Sequence, residues 1–327
     1  MQKVKASKIM SVTKPFFVIR ALVQLAITLI MLGVGVLSLL LFWWTAESSA
    51  GLSFFFIIAV TAVVFSLLRF AKRYILYMVK AAHVAAITEF LKTGNVPVTE
   101  KGYKGVVAYG TEKIKNNFGA SNIAFTADIL IAGATRQIMK WLNKAQNLFK
   151  FIPGTGHIFA FINFILSTAL NFIDEAILSY VFWHSDEKNG FKKCCDGLVF
   201  YAQSWKNMLK GALKVGAFVW GLRIVTFAVF AILSYTIISL FLPFGAFFIA
   251  ILFAFIILHG IETVIVEPYA VCIMINDYHN AVNGQVLKAD LHGTLCRVSK
   301  KFRSLFEKAD ETVIYSDPDP EYSTLQY

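Results

Sequence analysis

The amino-acid sequence predicts an all-α fold: a polytopic transmembrane helical bundle of about six spans, arranged as three helical hairpins with amphipathic cytoplasmic extensions. Apolar residues make up 57% of 327, charged residues 16%, and mean hydropathy is +0.63, whereas soluble domains run at roughly 45 to 50% apolar and about 25% charged. The apolar residues, 31 phenylalanines among them, come in blocks long enough to cross a hydrocarbon core of ~30 Å, for which about 20 residues of helix suffice. The basic residues behind the net charge of +11 cluster beside those blocks. Lys and Arg there set topology and meet anionic lipid headgroups, so the charge implies the lipid bilayer as partner and no nucleic acid.

The N-terminus, residues 1–19, is basic, with Lys3, Lys5, Lys8 and Lys14 and no acid. The first apolar block is too long for a cleaved secretory signal and reads as a retained span at about 20–44. A short turn at 45–50 leads to a second span from about 51. Its helical pattern continues past Arg69, Lys72 and Arg73, through His83 and Glu89, to Gly94 and Pro97, a Gly-then-Pro stop.

Residues 98–118 are basic and polar. A weaker third span is expected at about 119–136, with Asp128 near its centre and Lys140, Lys144 and Lys150 after it. The fourth is the apolar stretch 157–183, interrupted by Asp174 and Glu175, and 184–210 reads as a hydrophilic loop. Spans five and six, at about 212–242 and 246–274, are joined by a turn at Pro243 and Gly245.

The transmembrane domain, 20–284, is followed by a basic amphipathic helix at 285–308. It bears Lys288, Arg297, Lys300, Lys301, Arg303 and Lys308 opposite the apolar Leu287, Leu291, Leu295, Val298, Phe302 and Leu305, a pattern suited to a membrane surface. The acidic, Pro-containing tail at 309–327 is expected to be disordered.

The positive-inside rule places both termini in the cytoplasm, although the basic stretch 136–150 would then lie outside unless it is re-entrant or lies on the surface. Each pair of spans is an outward helix and a returning one that runs on into polar helix and closes on glycine. Repeats of this kind enclose pathways in transporters.

Charges within spans cost several kcal/mol on translocon scales, so Asp128, Asp174, Glu175, Arg223, Glu262 and Glu267 each need a partner, water or a task. Glu267 precedes Pro268 at an interface, Asp174 and Glu175 sit near a span end, and Arg223 can pair with an acid of a neighbouring helix. The candidate translocation path consists of Glu262, His259 one turn before it, Asp128, Arg223 and Trp220. Trp43, Trp44, Trp183 and Trp205 suit an interfacial belt. Trp220, one turn from Arg223, can instead offer its face to a quaternary ammonium.

No histidine or cysteine spacing matches a metal site, and Cys194, Cys195, Cys272 and Cys296 form no disulfide framework. No Walker A motif, dinucleotide fingerprint or nucleophile elbow occurs. The expectation is a protein that is not an enzyme and holds no cofactor.

The run KNGFKKCCDGLVFYAQSWKNMLKGAL before span five, the run IETVIVEPYAVCIMINDYHNAVNG closing span six, and NFGASNIAFTADILIAGATRQIMKWLNKA upstream together resemble the choline transporter-like family. In that family an amphipathic cytoplasmic stretch precedes the penultimate helix, and the last helix ends in an acid, aromatics and an Asn-Asp-Gly-like stop. Asn276, Asp277, Asn283 and Gly284 stand in for that ending here. The chain departs from the family in its smaller number of spans and in lacking paired acids before the stop, which leaves the substrate open. The resemblance implies an integral membrane carrier for a small cationic solute such as choline or ethanolamine, working without an ATP site. A non-transporting membrane scaffold or assembly protein is the alternative, and a pore is a third. Convergence of the intramembrane acids on one cavity would favour the carrier.

Overall fold

Backbone groups facing hydrocarbon must be satisfied within their own segment, so apolar runs of this length fold as long unbroken helices. A computed structural model describes residues 4–46, 52–95, 102–119, 121–145, 172–184, 189–240, 246–288 and 290–316, among which no strand occurs. The helices are α1 (Ala6–Val12), α2 (Lys14–Ala46), α3 (Leu52–Thr93), α4 (Gly102–Phe118), α5 (Ser121–Ala145), α6 (Ile173–Trp183), α7 (Gly190–Ser239), α8 (Ala246–Ile261), a π turn (Glu262–Val266), α9 (Glu267–Val282), α10 (Asp290–Val298) and α11 (Lys300–Ser316). Most of the turn expected at 45–50, the turn at 243–245, most of the span expected at 157–183 and the tail from 317 lie outside the described residues.

Three described helices are long and apolar enough to cross a membrane: Lys14–Gly35 in α2, Gly211–Ser239 in α7, and Ala246–Val282, which joins α8, the π turn and α9. Their side chains face outward, with Leu29 59%, Ile232 67% and Phe248 77% exposed. Contiguous apolar surface on this scale marks a membrane or partner face. Two hairpins are present. In the first, α2 lies along α3, and Thr61 Oγ1 donates to Ser38 Oγ at 3.1 Å. In the second, α7 lies along α8.

The packed core sits at the polar ends of these same helices. Ile87 of α3, Ile114 of α4, Ile131 and Ile138 of α5, Ile177 of α6, Leu198 and Tyr201 of α7, Tyr278 of α9, and Phe302 and Leu305 of α11 are all buried there. Helix α1 docks on α9, burying Ile9, and Asn276 Nδ2 donates to the Val4 carbonyl at 2.7 Å. Gly110 of α4 fits so tightly against α3 that a Cβ there would lie 2.1 Å from the Cβ of Ala82.

Several expectations are corrected. The segment read as a hydrophilic loop is helical from Gly190, and α7 runs unbroken for 50 residues. The buried Cys194, Cys195, Leu198, Tyr201, Ala202, Trp205 and Met208 form one face, with Lys192, Asp196 and Lys206 off it. Asn189 caps that helix by accepting from the Lys192 amide at 3.1 Å.

The polar stretch before Gly119 is α4, and the third span is not a straight helix. Helix α5 meets α4 at 75°, and the pair passes as a span only if counted as one broken element. Gly119, with φ +72°, supplies the left-handed residue at that corner.

The terminal amphipathic segment is not one helix. Residues 285–288 are non-helical, and Ser299 separates α10 from α11. Its apolar face is already covered: Leu295, Phe302 and Leu305 are fully buried, with α11 packed on α5 and α7. Helix α11 also continues to Ser316, into the segment expected to be disordered.

Candidate functional site

A proline at 268, second residue of α9, sets the local geometry. Pro268 has no N–H, and its ring would collide with the carbonyl four residues back. The turn widens instead: the Glu267 amide reaches the Glu262 carbonyl, an i→i−5 bond that defines the π turn. Glu262 then faces α7, whereas His259, Gly260 and Val264 face α2 and α3.

On the α7 side, Arg223 Nε donates to Glu262 Oε1 at 2.9 Å and pairs with the same carboxylate through Nη2. The Arg223 guanidinium lies 4.9 Å from the centre of the Trp220 ring. The structure therefore brings Trp220, Arg223 and Glu262 together, with the indole face already holding the protein's own cation.

Asp128 is elsewhere, on α5, within electrostatic reach of Asp174, Lys80 and Arg73. Lys80 Nζ pairs with Glu175 and stands 3.9 Å from Asp174. Both of those acids sit in the first turn of α6, where a helix dipole favours negative charge. Among the described residues, the acids expected within spans fall in two places, Glu262 against Arg223 and Asp128, Asp174 and Glu175 near Lys80.

A large cavity, a groove of about 1450 Å³, lies between α2, α3 and α8. Its α2 wall is Ala21, Gln24, Leu25, Thr28, Met31, Gly35 and Ser38, spaced along one face of the helix. Ile58, Thr61, Phe65 and Lys72 line it from α3, and Leu252, Phe255, His259 and Gly260 from α8. Among the described lining residues the ionisable ones are Lys72 and His259, and no acid is present. A Cβ added at Gly35 or Gly260 would meet nothing within 4 Å.

At the Lys72 end, Arg20 is buried and pairs with Glu267. Its Nε and Nη1, and Oε1 of the buried Gln24, have no hydrogen-bond partner. Buried polar atoms of this kind call for an explanation.

Sequence reasoning missed Gln24, Lys72 and Arg20 because Lys and Arg beside a span were read as topology signals. The stripe of small and polar residues at positions 21, 24, 28, 35 and 38, set among leucines, was the available signal.

Beyond the groove, His83 is buried between Phe16 and Phe17, with Nε2 3.1 Å from Thr13 Oγ1. Burial, reinforced by the Arg20 charge, pushes its pKa down to about 3. Burial pushes the Cys194 and Cys195 thiols up, which keeps them protonated and poor nucleophiles. Among the described residues no cluster of His, Cys, Asp and Glu could hold a metal.

The fold and groove together define an all-helical protein with helices able to cross a membrane and a large apolar groove between them. No protein-family model, curated protein or solved structure matches the chain.

Proposed function

We propose that the chain is a multi-pass integral membrane carrier that works without ATP hydrolysis and takes an amphipathic solute into the α2–α3–α8 groove. The observation that supports it is the groove itself, which follows α2 from Ala21 to Ser38, a rise of ~26 Å at 1.5 Å per residue and so most of a hydrocarbon core. In this reading the apolar first half of α3 crosses beside α2, and the bent α4–α5 pair is the re-entrant segment that reconciles the basic stretch after it. Both termini are then cytoplasmic. Resemblance to the choline transporter-like family suggests a small amine such as choline, but the described lining offers a cation Lys72 in place of a carboxylate. His259 remains on the path in this proposal, while Glu262, Arg223, Trp220 and Asp128 support it from outside the groove.

The second reading, a membrane scaffold, is favoured by the pairing of Glu262 with Arg223 and of Glu175 with Lys80. One experiment separates the two. Gly260→Phe and Gly35→Phe fill the groove without a clash at Cβ. In vesicles reconstituted with the protein, transfer of a fluorescent single-chain amphiphile should exceed that in empty vesicles and fall to the empty-vesicle rate in both variants. Equal rates with and without wild-type protein would remove the carrier reading.

A further inference from the structure

The polar atoms at one end of the groove say what the solute's head must be. Arg20, one residue before the groove-lining Ala21 and itself outside the lining, pairs with Glu267, and its buried Nε and Nη1 have no hydrogen-bond partner among the described residues. Gln24, one turn further along α2, lines the groove and leaves Oε1 without a donor. Lys72 lines the same end from α3, half-buried, and among the described residues no acid lies within ion-pair distance of it. Glu267 pairs with Arg20 and lies within electrostatic reach of Lys72, so among these described groups two cations share one carboxylate.

Donors left unsatisfied beside a positive charge suit an anion, and guanidinium and ammonium groups are the usual phosphate and carboxylate partners. The unpartnered Oε1 adds room for a hydroxyl donor. Above this cluster the wall is mostly apolar to Ser38, with Met31, Phe65, Phe255 and Ile256 along it and Thr28, Thr61 and His259 as polar breaks.

We propose that the groove binds an anionic lipid, its acyl chain lying along α2 and its head at Lys72 and Gln24. The inference rests on reading the groove as the solute site, and names the solute's class. The occupant comes from the bilayer, because the lining matches a chain as well as a head and a free phosphate would fill only the basic end.

The test uses the purified full-length protein in detergent with three probes of one acyl length: lysophosphatidate, a neutral monoacylglycerol and an alkyl trimethylammonium. Retention is counted by native mass spectrometry. Lysophosphatidate should be held at one molecule per chain, preferred over either competitor by about tenfold, the scale of one charge-assisted hydrogen bond. Lys72→Gln, and separately Gln24→Leu, should reduce that preference while leaving chain binding, and Gly260→Phe should abolish retention. Equal retention of all three probes, or an unchanged preference in both head-end variants, overturns the anionic assignment while the groove stands. Retention of several lipids per chain that Gly260→Phe does not alter, or no retention at all, overturns the groove as a lipid site.

Discussion

At Glu262, replacement by Gln removes the charge but leaves Arg223, hydrogen-bonded to it at 2.9 Å, without its counterion. The pair is part-buried, so breaking it from one side should cost less than the about 3 to 5 kcal/mol of a fully buried pair, and neutralising both sides less still. Glu262→Gln and Arg223→Gln should therefore each lower thermal stability in detergent, and the double variant should recover most of the loss. Additive losses would show that the two side chains act separately. His83 gives a pH dependence with a definite sign. Its folded pKa of about 3 lies below the ordinary value of about 6.5, so between these limits the unfolded chain binds the extra proton and stability falls as pH drops. The slope approaches about 1.4 kcal/mol per pH unit within that window and vanishes above it. Melting temperature should decline more steeply from pH 6.5 to 4.5 in wild type than in His83→Phe, and identical slopes would contradict the assignment. The candidate residues were legible in the sequence because charge in an apolar helix is conspicuous. Their partners were not, because pairing depends on which helices adjoin.

Among the elements, two glycines make opposite forecasts. Gly110 leaves no room against Ala82, whereas Gly260 opens on the groove. Gly110→Leu should destabilise the protein by several kcal/mol through forced separation of α3 and α4, since overpacking alone typically costs about 1 to 3. Gly260→Leu should leave stability unchanged or raised, by up to about 1 kcal/mol from helix propensity. Thermal unfolding of the two variants side by side checks this, and equal losses would mean the groove is closed. The long apolar helices were legible from hydropathy alone. Helix α7 was only half legible, because counting charges hides an amphipathic helix: Cys194, Leu198, Tyr201 and Trp205 recur on one face of a stretch that reads as polar on average. Helices α10 and α11 carried the right amphipathic pattern, but the pattern does not distinguish a membrane from α5 and α7 as the surface it meets.

For the whole molecule, the division of labour is between apolar helix ends that expose Leu29, Ile232 and Phe248 and polar ends that bury Ile131, Tyr201 and Phe302. The sequence suggested the first layer and concealed the second, since the core is assembled from segments that look like loops or tails when read singly. On the proposed topology, in which both termini are cytoplasmic, tags at each end should be equally accessible to protease from the cytoplasmic face of sealed, inverted vesicles, and one protected end would rule out an even number of crossings. The central claim is that the groove between α2, α3 and α8 is occupied by an acyl chain. The most direct measurement is photo-crosslinking in bilayers with an anionic lipid whose chain carries a diazirine, followed by mapping of the modified residues. The account predicts adducts concentrated on groove residues such as Met31, Phe65 and Phe255, lost in Gly260→Phe. Adducts spread evenly over outward positions such as Leu29, Ile232 and Phe248, and unchanged in that variant, would contradict it.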